Sequence, residues 1–127
     1  MRIANKDAGE VEIVLDGATW VLRPDFTACI AIERNTGNTM LELAQRMNDG
    51  RSLPLETVAH IVTAAVHSWG VQNKDDVAKA VNHRRIAELL FAGGVKCWAV
   101  PVLEFLLATV NPERPGNADP TAGAAAS

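Results

Sequence analysis

The sequence predicts an α+β fold that is mostly helical, in which an N-terminal β-hairpin packs on a bundle of about five helices. Two short segments of alternating character flank Asp16-Gly17, a pair typical of a type I′ turn, in which both residues need positive φ. Beyond the hairpin, apolar residues recur at spacings of three and four, divided by helix-start and helix-stop signals. A chain of 127 residues is long enough for one domain with its own core.

The hairpin is predicted over residues 10–23. A turn at Asp16-Gly17 places Ile13 opposite Trp20, and four more apolar side chains share their face: Val11, Leu15, Ala18 and Leu22. We expect helices to cover this face, because an isolated hairpin is marginal in water. We expect the other face to point to solvent; it carries Glu10, Glu12, Val14, Thr19, Val21 and Arg23.

Helices are predicted over about residues 24–36, 39–48, 54–69, 74–92 and 95–110. Pro24 and Pro54 are predicted to open the first and third, because proline at the first helical position sacrifices no hydrogen bond. Gly37 and Gly70 are the predicted ends of the same two helices. The inward side chains expected of the first helix are Phe26, Cys29, Ile30 and Ile32.

Local signals define the remaining helices. Thr39 and Glu42 form a capping box, and Asn73 is the N-cap expected for the fourth helix. Whether Asn82-His83 interrupts that helix is open. The last helix is apolar nearly all round, so we expect it to be the most buried element, with a kink at Pro101. Residues 1–110 form the predicted domain.

Residues 111–127 are predicted to be a disordered tail. This segment holds three of the six prolines and no large apolar residue, so it cannot bury enough surface to offset its ordering entropy.

Composition argues against several classes of protein. A net charge of −3 does not suit a general nucleic-acid binder, which needs a basic face. The N-terminus lacks the apolar core of a signal peptide, and no apolar run approaches the ~20 residues that span a bilayer. We therefore expect a soluble cytoplasmic protein without nucleic-acid or membrane partners. Cys29 and Cys97 both lie in apolar helical segments, and we expect free thiols.

The sequence predicts no enzyme, no cofactor and no metal site. His60 and His67 are seven residues apart, about 10 Å along one helix, too far to hold one metal ion. We interpret both as histidines of a polar helix face. The basic cluster 83–85 either meets a phosphate or an acidic partner, or is a solvated face. Gly93-Gly94 lacks the rest of a phosphate-binding motif and is interpreted as a helix–helix turn.

Several short motifs, taken by their order and spacing, identify a family. They are Asn5, Gly9-Glu10-Val11, Leu15-Asp16-Gly17, Leu22-Arg23-Pro24, Phe26, Ala31-Ile32-Glu33 and Leu41-x-Leu43-Ala44. With these motifs the chain resembles the tail assembly chaperone family of siphophages and gene transfer agents, also catalogued as a gene-transfer-agent tail tube protein. The resemblance covers about residues 5–70 by motif and 71–110 by helical pattern. The C-terminal segment, residues 111–127, and residues 82–85 depart from the family pattern.

The resemblance implies a non-enzymatic protein, encoded with the tail genes of a phage, prophage or gene transfer agent. It implies two partners in the host cytoplasm: the tape measure protein, which the chaperone escorts, and the tail tube protein, which polymerises around it. Self-association, for which an exposed hairpin edge is a candidate surface, and association with the finished tail are left open. The alternative function is a small helical interaction or regulatory adaptor protein, and a helix-turn-helix DNA binder is a third.

A chaperone for a helical protein needs an apolar surface on which a partner helix can dock. Met40 and Met47 are candidates because methionine adapts to varied partners. Trp98 and Phe105 are candidates from the apolar last helix. Ordinary core packing is the alternative for all four side chains.

Overall fold

A computed structural model describes residues 2–111, and the predicted disordered tail lies outside the described residues, apart from Asn111. A 3₁₀ turn, Lys6–Ala8, precedes the main elements. These are β1 (Val11–Leu15), β2 (Ala18–Leu22), α1 (Phe26–Thr36), α2 (Met40–Asn48), α3 (Leu55–Asn73), α4 (Asp76–Ala80), α5 (His83–Gly93) and α6 (Val95–Val110). The fold is mostly helical with one antiparallel hairpin, as predicted.

The hairpin forms at the predicted turn and in the predicted register. Asp16 and Gly17 have φ values of 52° and 77°, and Ile13 pairs with Trp20. Both side chains of that pair are buried, because α6 lies against β1 and α3 lies against β2. The apolar face of the hairpin is therefore part of the core, apart from Ala18 beside the turn, which is exposed.

The prediction that the other hairpin face points to solvent is wrong at two positions. Glu10 is only 4% exposed, and Val21 is fully buried. Arg23 Nη1 donates to Glu10 Oε2 over 2.6 Å, and Asn5 N–H donates to Glu10 Oε1 over 2.8 Å. The N-terminal segment thus folds back over the start of β1 and buries a carboxylate whose partners lie several residues away.

The first helix begins two residues after Pro24, not at it. The Asp25 side chain accepts a hydrogen bond from Ala28 N–H over 2.9 Å and caps α1. The helix buries Ala28 and Ile32, so Phe26, two residues from Ala28, lies on the opposite side and is 79% exposed. The expectation that Phe26 and Ile30 point inward is wrong, because the buried stripe of α1 has a different phase.

Two predicted helix signals are present at the ends of α1 and α2. Gly37 ends α1 in the left-handed conformation, with a φ of 72°. Thr39 Oγ1 accepts from Glu42 N–H, and Glu42 Oε1 accepts from Thr39 N–H, which completes the capping box of α2. Pro54 is the residue before α3 rather than its first residue.

Gly70 does not end α3, contrary to prediction. The helix continues to Asn73, and Lys74 closes it in the left-handed conformation, with a φ of 56°. In α3 nine residues are buried, whereas in α6 only four are. The most buried helix is therefore α3, and the prediction that it is the last helix is wrong. It contacts α1, α4, α5, α6 and β2, whereas α6 leaves one side uncovered within the described chain.

The helix predicted over residues 74–92 is two helices, α4 and α5. Asp75 caps α4 through Ala78 N–H, and Asn82 caps α5 through Arg85 N–H, so Asn82-His83 is a break. The predicted cap, Asn73, is the last residue of α3 instead. Both new caps are side chains of the types that favour helix N-termini.

Candidate functional site

The four predicted partner-binding residues lie in two environments. Met40 and Phe105 are buried in the hydrophobic core. Met47, which is partly buried, and Trp98, which is largely buried, both line an open groove. Partner binding by these residues stays a prediction. Met47 is the most accessible of the four, whereas Trp98 is only 6% exposed, like Met40, and belongs to the same core cluster.

This apolar groove has a volume of about 320 Å³ and lies between the end of α2, the loop that follows it and the first half of α6. Its large apolar side chains are Met47, Leu53, Val95, Trp98, Val100 and Leu103. Val95 and Val100 are 62% and 63% exposed. Among the described residues that line the groove, Arg51 alone is charged, so the surface is apolar with a positive rim.

The groove exists because α6 has more apolar residues than the core can cover. One face of α6 buries Trp98, Val102, Phe105 and Leu106. Val95, Val100 and Leu103 of the same helix line the groove, which flanks the loop after α2. An apolar groove of this kind is typical of a surface that another chain covers.

A second cavity, of about 570 Å³, lies between the hairpin turn and the α4–α5 segment. Its lining combines apolar side chains, such as Trp20 and Leu89, with polar ones, such as Arg85. Beside it, Arg2 stacks over the Trp20 ring and donates to Asp75 over 2.9 Å. The bond from Arg2 is the main reason that the pKa of Asp75 is lowered, and the Ala78 N–H adds to it. These contacts tie the N-terminus to α4.

The two cysteines are free thiols, as expected. Burial raises the pKa of both, and at Cys29 the carboxylates of Asp25 and Glu33 raise it further. The thiolate is the nucleophilic form, so the raised pKa reduces the fraction of each thiol that is reactive at neutral pH.

The structure brings together a histidine cluster that the sequence did not predict. His83, at the start of α5, stacks on His60 of α3 with ring centroids 4.0 Å apart. Glu56, one turn before His60, places its Oε2 3.6 Å from His60 Nε2 and 3.9 Å from His83 Nε2. His67 lies outside this cluster, with Nδ1 2.9 Å from the Lys79 carbonyl oxygen. The spacing of Glu56 and His60 is visible in the sequence, but their juxtaposition with His83 is not.

No helix within residues 2–111 combines the length and the apolar character needed to cross a membrane.

A family model described as "Phage tail tube protein, GTA-gp10" matches residues 8–100, about three quarters of the chain. The match spans the hairpin, α1 to α5 and the first part of α6, so it includes Met47, Trp98 and most of the apolar groove. No curated protein and no solved structure matches the chain significantly.

Proposed function

The chain belongs to the phage tail tube protein family described as GTA-gp10, and on that premise we propose that it is a non-enzymatic tail assembly chaperone. Membership makes it a phage or gene-transfer-agent tail protein with a structural or assembly role. In our proposal it binds the tape measure protein and assists assembly of the tail tube. The observation that carries this finer proposal is the apolar groove beside α6.

The groove suits the side chains of an amphipathic helix. Such a helix docks by inserting apolar residues spaced three and four apart into a hydrophobic surface, the mode we propose for the tape measure protein. A volume of about 320 Å³ is at the lower end of binding pockets, so the groove would receive anchoring side chains and not a whole helix. Met47 can adjust its rotamers to different anchors, as an escort of a long protein requires.

The rim charge adds a preference about the partner. Arg51 lines the polar edge of the groove, and its side chain is exposed. Complementary charges across an interface orient partners and speed association. We therefore expect the docking segments of the tape measure protein to carry an acidic residue beside the apolar stripe.

The exposed valines set the strength of the contact. Full burial of a valine contributes roughly 1.5–3 kcal/mol, so covering Val95 and Val100 contributes about 1–2 kcal/mol each. A few kcal/mol from each groove permits reversible binding, and several chaperone copies along one tape measure protein would add to the total affinity. Binding must be reversible in this proposal, because the chaperone has to dissociate from the tape measure protein as the tube forms.

A copurification experiment with matched variants tests the proposal. Val100→Glu puts a charge in the groove, whereas Val71→Glu makes the same change on α3, outside the groove, at a residue that is 56% exposed. We expect Val100→Glu to weaken binding to the tape measure protein at least tenfold and Val71→Glu to change it less than twofold. Both sites are exposed, so both variants should keep the wild-type melting temperature. Equal binding by Val100→Glu and wild type would overturn the groove assignment.

The family description favours a second candidate, a structural subunit of the tube. A tube subunit is an abundant, stoichiometric component of purified particles, whereas an assembly chaperone is depleted from them. Quantitative mass spectrometry of purified tails separates these two functions.

A further inference from the structure

We propose that Glu56, His60 and His83 form a binding site for a divalent transition metal ion of the zinc class, which joins α3 to α5. One carboxylate oxygen and two imidazole nitrogens lie within 4.8 Å of one another. Two histidines and a carboxylate are a common zinc ligand set, and a water molecule fills the fourth position in such open sites. The site goes beyond the proposed chaperone function and does not depend on it.

The three ligand atoms lie near enough to share one ion after a local rearrangement. Tetrahedral zinc with bonds of about 2.0–2.1 Å separates its ligand atoms by about 3.3 Å. Glu56 Oε2 is 3.6 Å from His60 Nε2 and 3.9 Å from His83 Nε2, and all three ligand atoms lie within 4.8 Å of one another. The two rings are stacked with 19° between their planes, so one imidazole must turn before both nitrogens face a single ion. Glu56 is 74% exposed and can follow that movement without disturbing the core.

A second observation points to a ligand at this place. His83 Nε2 is buried and has no hydrogen-bond partner among residues 2–111. The polar groups near it are the Glu56 carboxylate, at 3.9 Å, and the stacked His60 ring. A buried polar nitrogen without a partner is costly, and a metal ion would use its lone pair. The two rings line a cavity of about 240 Å³ together with Thr63, whose buried hydroxyl also lacks a partner within the described chain.

The ligand types of the cluster indicate which class of cation it would bind. Imidazole nitrogen prefers zinc, nickel or copper over magnesium or calcium, which take oxygen ligands.

The metal ion would link α3 and α5, which are connected along the chain through α4. Glu56 and His60 lie one turn apart on α3, and His83 is the first residue of α5, next to its cap Asn82. A metal ion shared by both helices would fix the start of α5 on α3. Because only the folded chain presents all three ligands, the ion would also stabilise the fold.

The test is Zn²⁺ binding to the full-length, untagged protein, followed by calorimetry and thermal unfolding. We expect one equivalent with a micromolar dissociation constant and a rise of several degrees in melting temperature, whereas Mg²⁺ should cause no shift. His83→Gln should weaken Zn²⁺ binding at least tenfold, and His67→Gln, a change at the neighbouring histidine outside the cluster, should not. Co²⁺ should give the absorption spectrum of a tetrahedral site.

Two results would overturn the proposal. One is the absence of Zn²⁺ binding to the wild type at 100-fold excess over protein; the other is unchanged binding in both His83→Gln and Glu56→Gln. Glu56 is largely exposed, so Glu56→Gln tests the site even if His83→Gln unfolds the domain. Binding that survives both changes would place the ion on other groups.

Discussion

Gly70 offers the sharpest test of the packing between α3 and α4. It lies in the last turn of α3 and is buried. A Cβ added there would lie 2.6 Å from the backbone nitrogen of Lys79 and 2.8 Å from Ala78 Cβ. Neither atom can rotate away, so Gly70→Ala must push α4 off α3.

The size of the effect follows from two opposing contributions. Alanine gains about 1 kcal/mol over glycine inside a helix. Overpacking costs typically 1–3 kcal/mol, and the upper half of that range applies because α4 must move by more than half an ångström to restore ordinary contact. We expect a net loss of about 1–2 kcal/mol, equivalent to a fall in melting temperature of roughly 4–8 °C for a domain of this size.

Gly93→Ala is the matched control. Its added Cβ would meet Cys97 Sγ at 2.5 Å and Cys97 Cβ at 3.2 Å. The sulfur ends a side chain that can change rotamer, and the contact with Cβ needs a shift of only a few tenths of an ångström. We expect Gly93→Ala to leave the free energy of unfolding unchanged or to raise it by up to about 1 kcal/mol, because alanine has a higher helix propensity than glycine. Urea and thermal unfolding of both variants give the comparison. A Gly70→Ala protein as stable as the wild type would refute the close approach of the two helices.

Three further predictions concern the hairpin and the N-terminus. Glu10→Ala removes the buried partner of Arg23 and should lower the free energy of unfolding, measured in urea, by about 2–3 kcal/mol. This is less than the roughly 3–5 kcal/mol of a broken buried pair, because Arg23 still contacts Asp25. A change below about 0.5 kcal/mol would count against the pair. Trp20→Asp should unfold the domain or detach the hairpin, and unchanged thermal stability would mean that the hairpin is inside out. Since the folded pKa of Asp75 is lowered, its stabilisation is complete above the unfolded pKa and is lost as the pH falls through the folded value. An Arg2→Met variant, which lacks the main cause of that shift, should lose less stability on acidification from pH 5 than the wild type, and parallel pH curves would show that the bond is not formed.

Features encoded within a few residues were predictable from the sequence. The Asp16-Gly17 turn fixed the register of the hairpin, because a two-residue turn determines which residues pair. The capping box of Thr39 and Glu42 likewise depends only on local spacing.

Features that depend on distant contacts were not predictable. Glu10 is buried because Asn5 and Arg23 close around it, and the alternation of the strand contains no sign of that. Gly70 resembled a helix stop, whereas its role is to admit another backbone to close contact. Phe26 shows the same limit, since the buried stripe of α1 is set by its neighbours.

The candidate site was predictable only in part for the same reason. Met47 and Trp98 were identified as apolar residues suited to partner binding, and the fold places both at the groove. Met40 and Phe105 have the same chemistry but face the core, and residue type alone cannot separate these positions. The cluster with His83 required knowledge of where α5 packs.

The most direct measurement of the central claim is the soluble yield of the tape measure protein of the same element, expressed with and without this chain. Our account predicts that co-expression moves the tape measure protein into the soluble fraction, in a complex that contains both proteins. A tape measure protein that is equally insoluble in both cases would contradict the chaperone function.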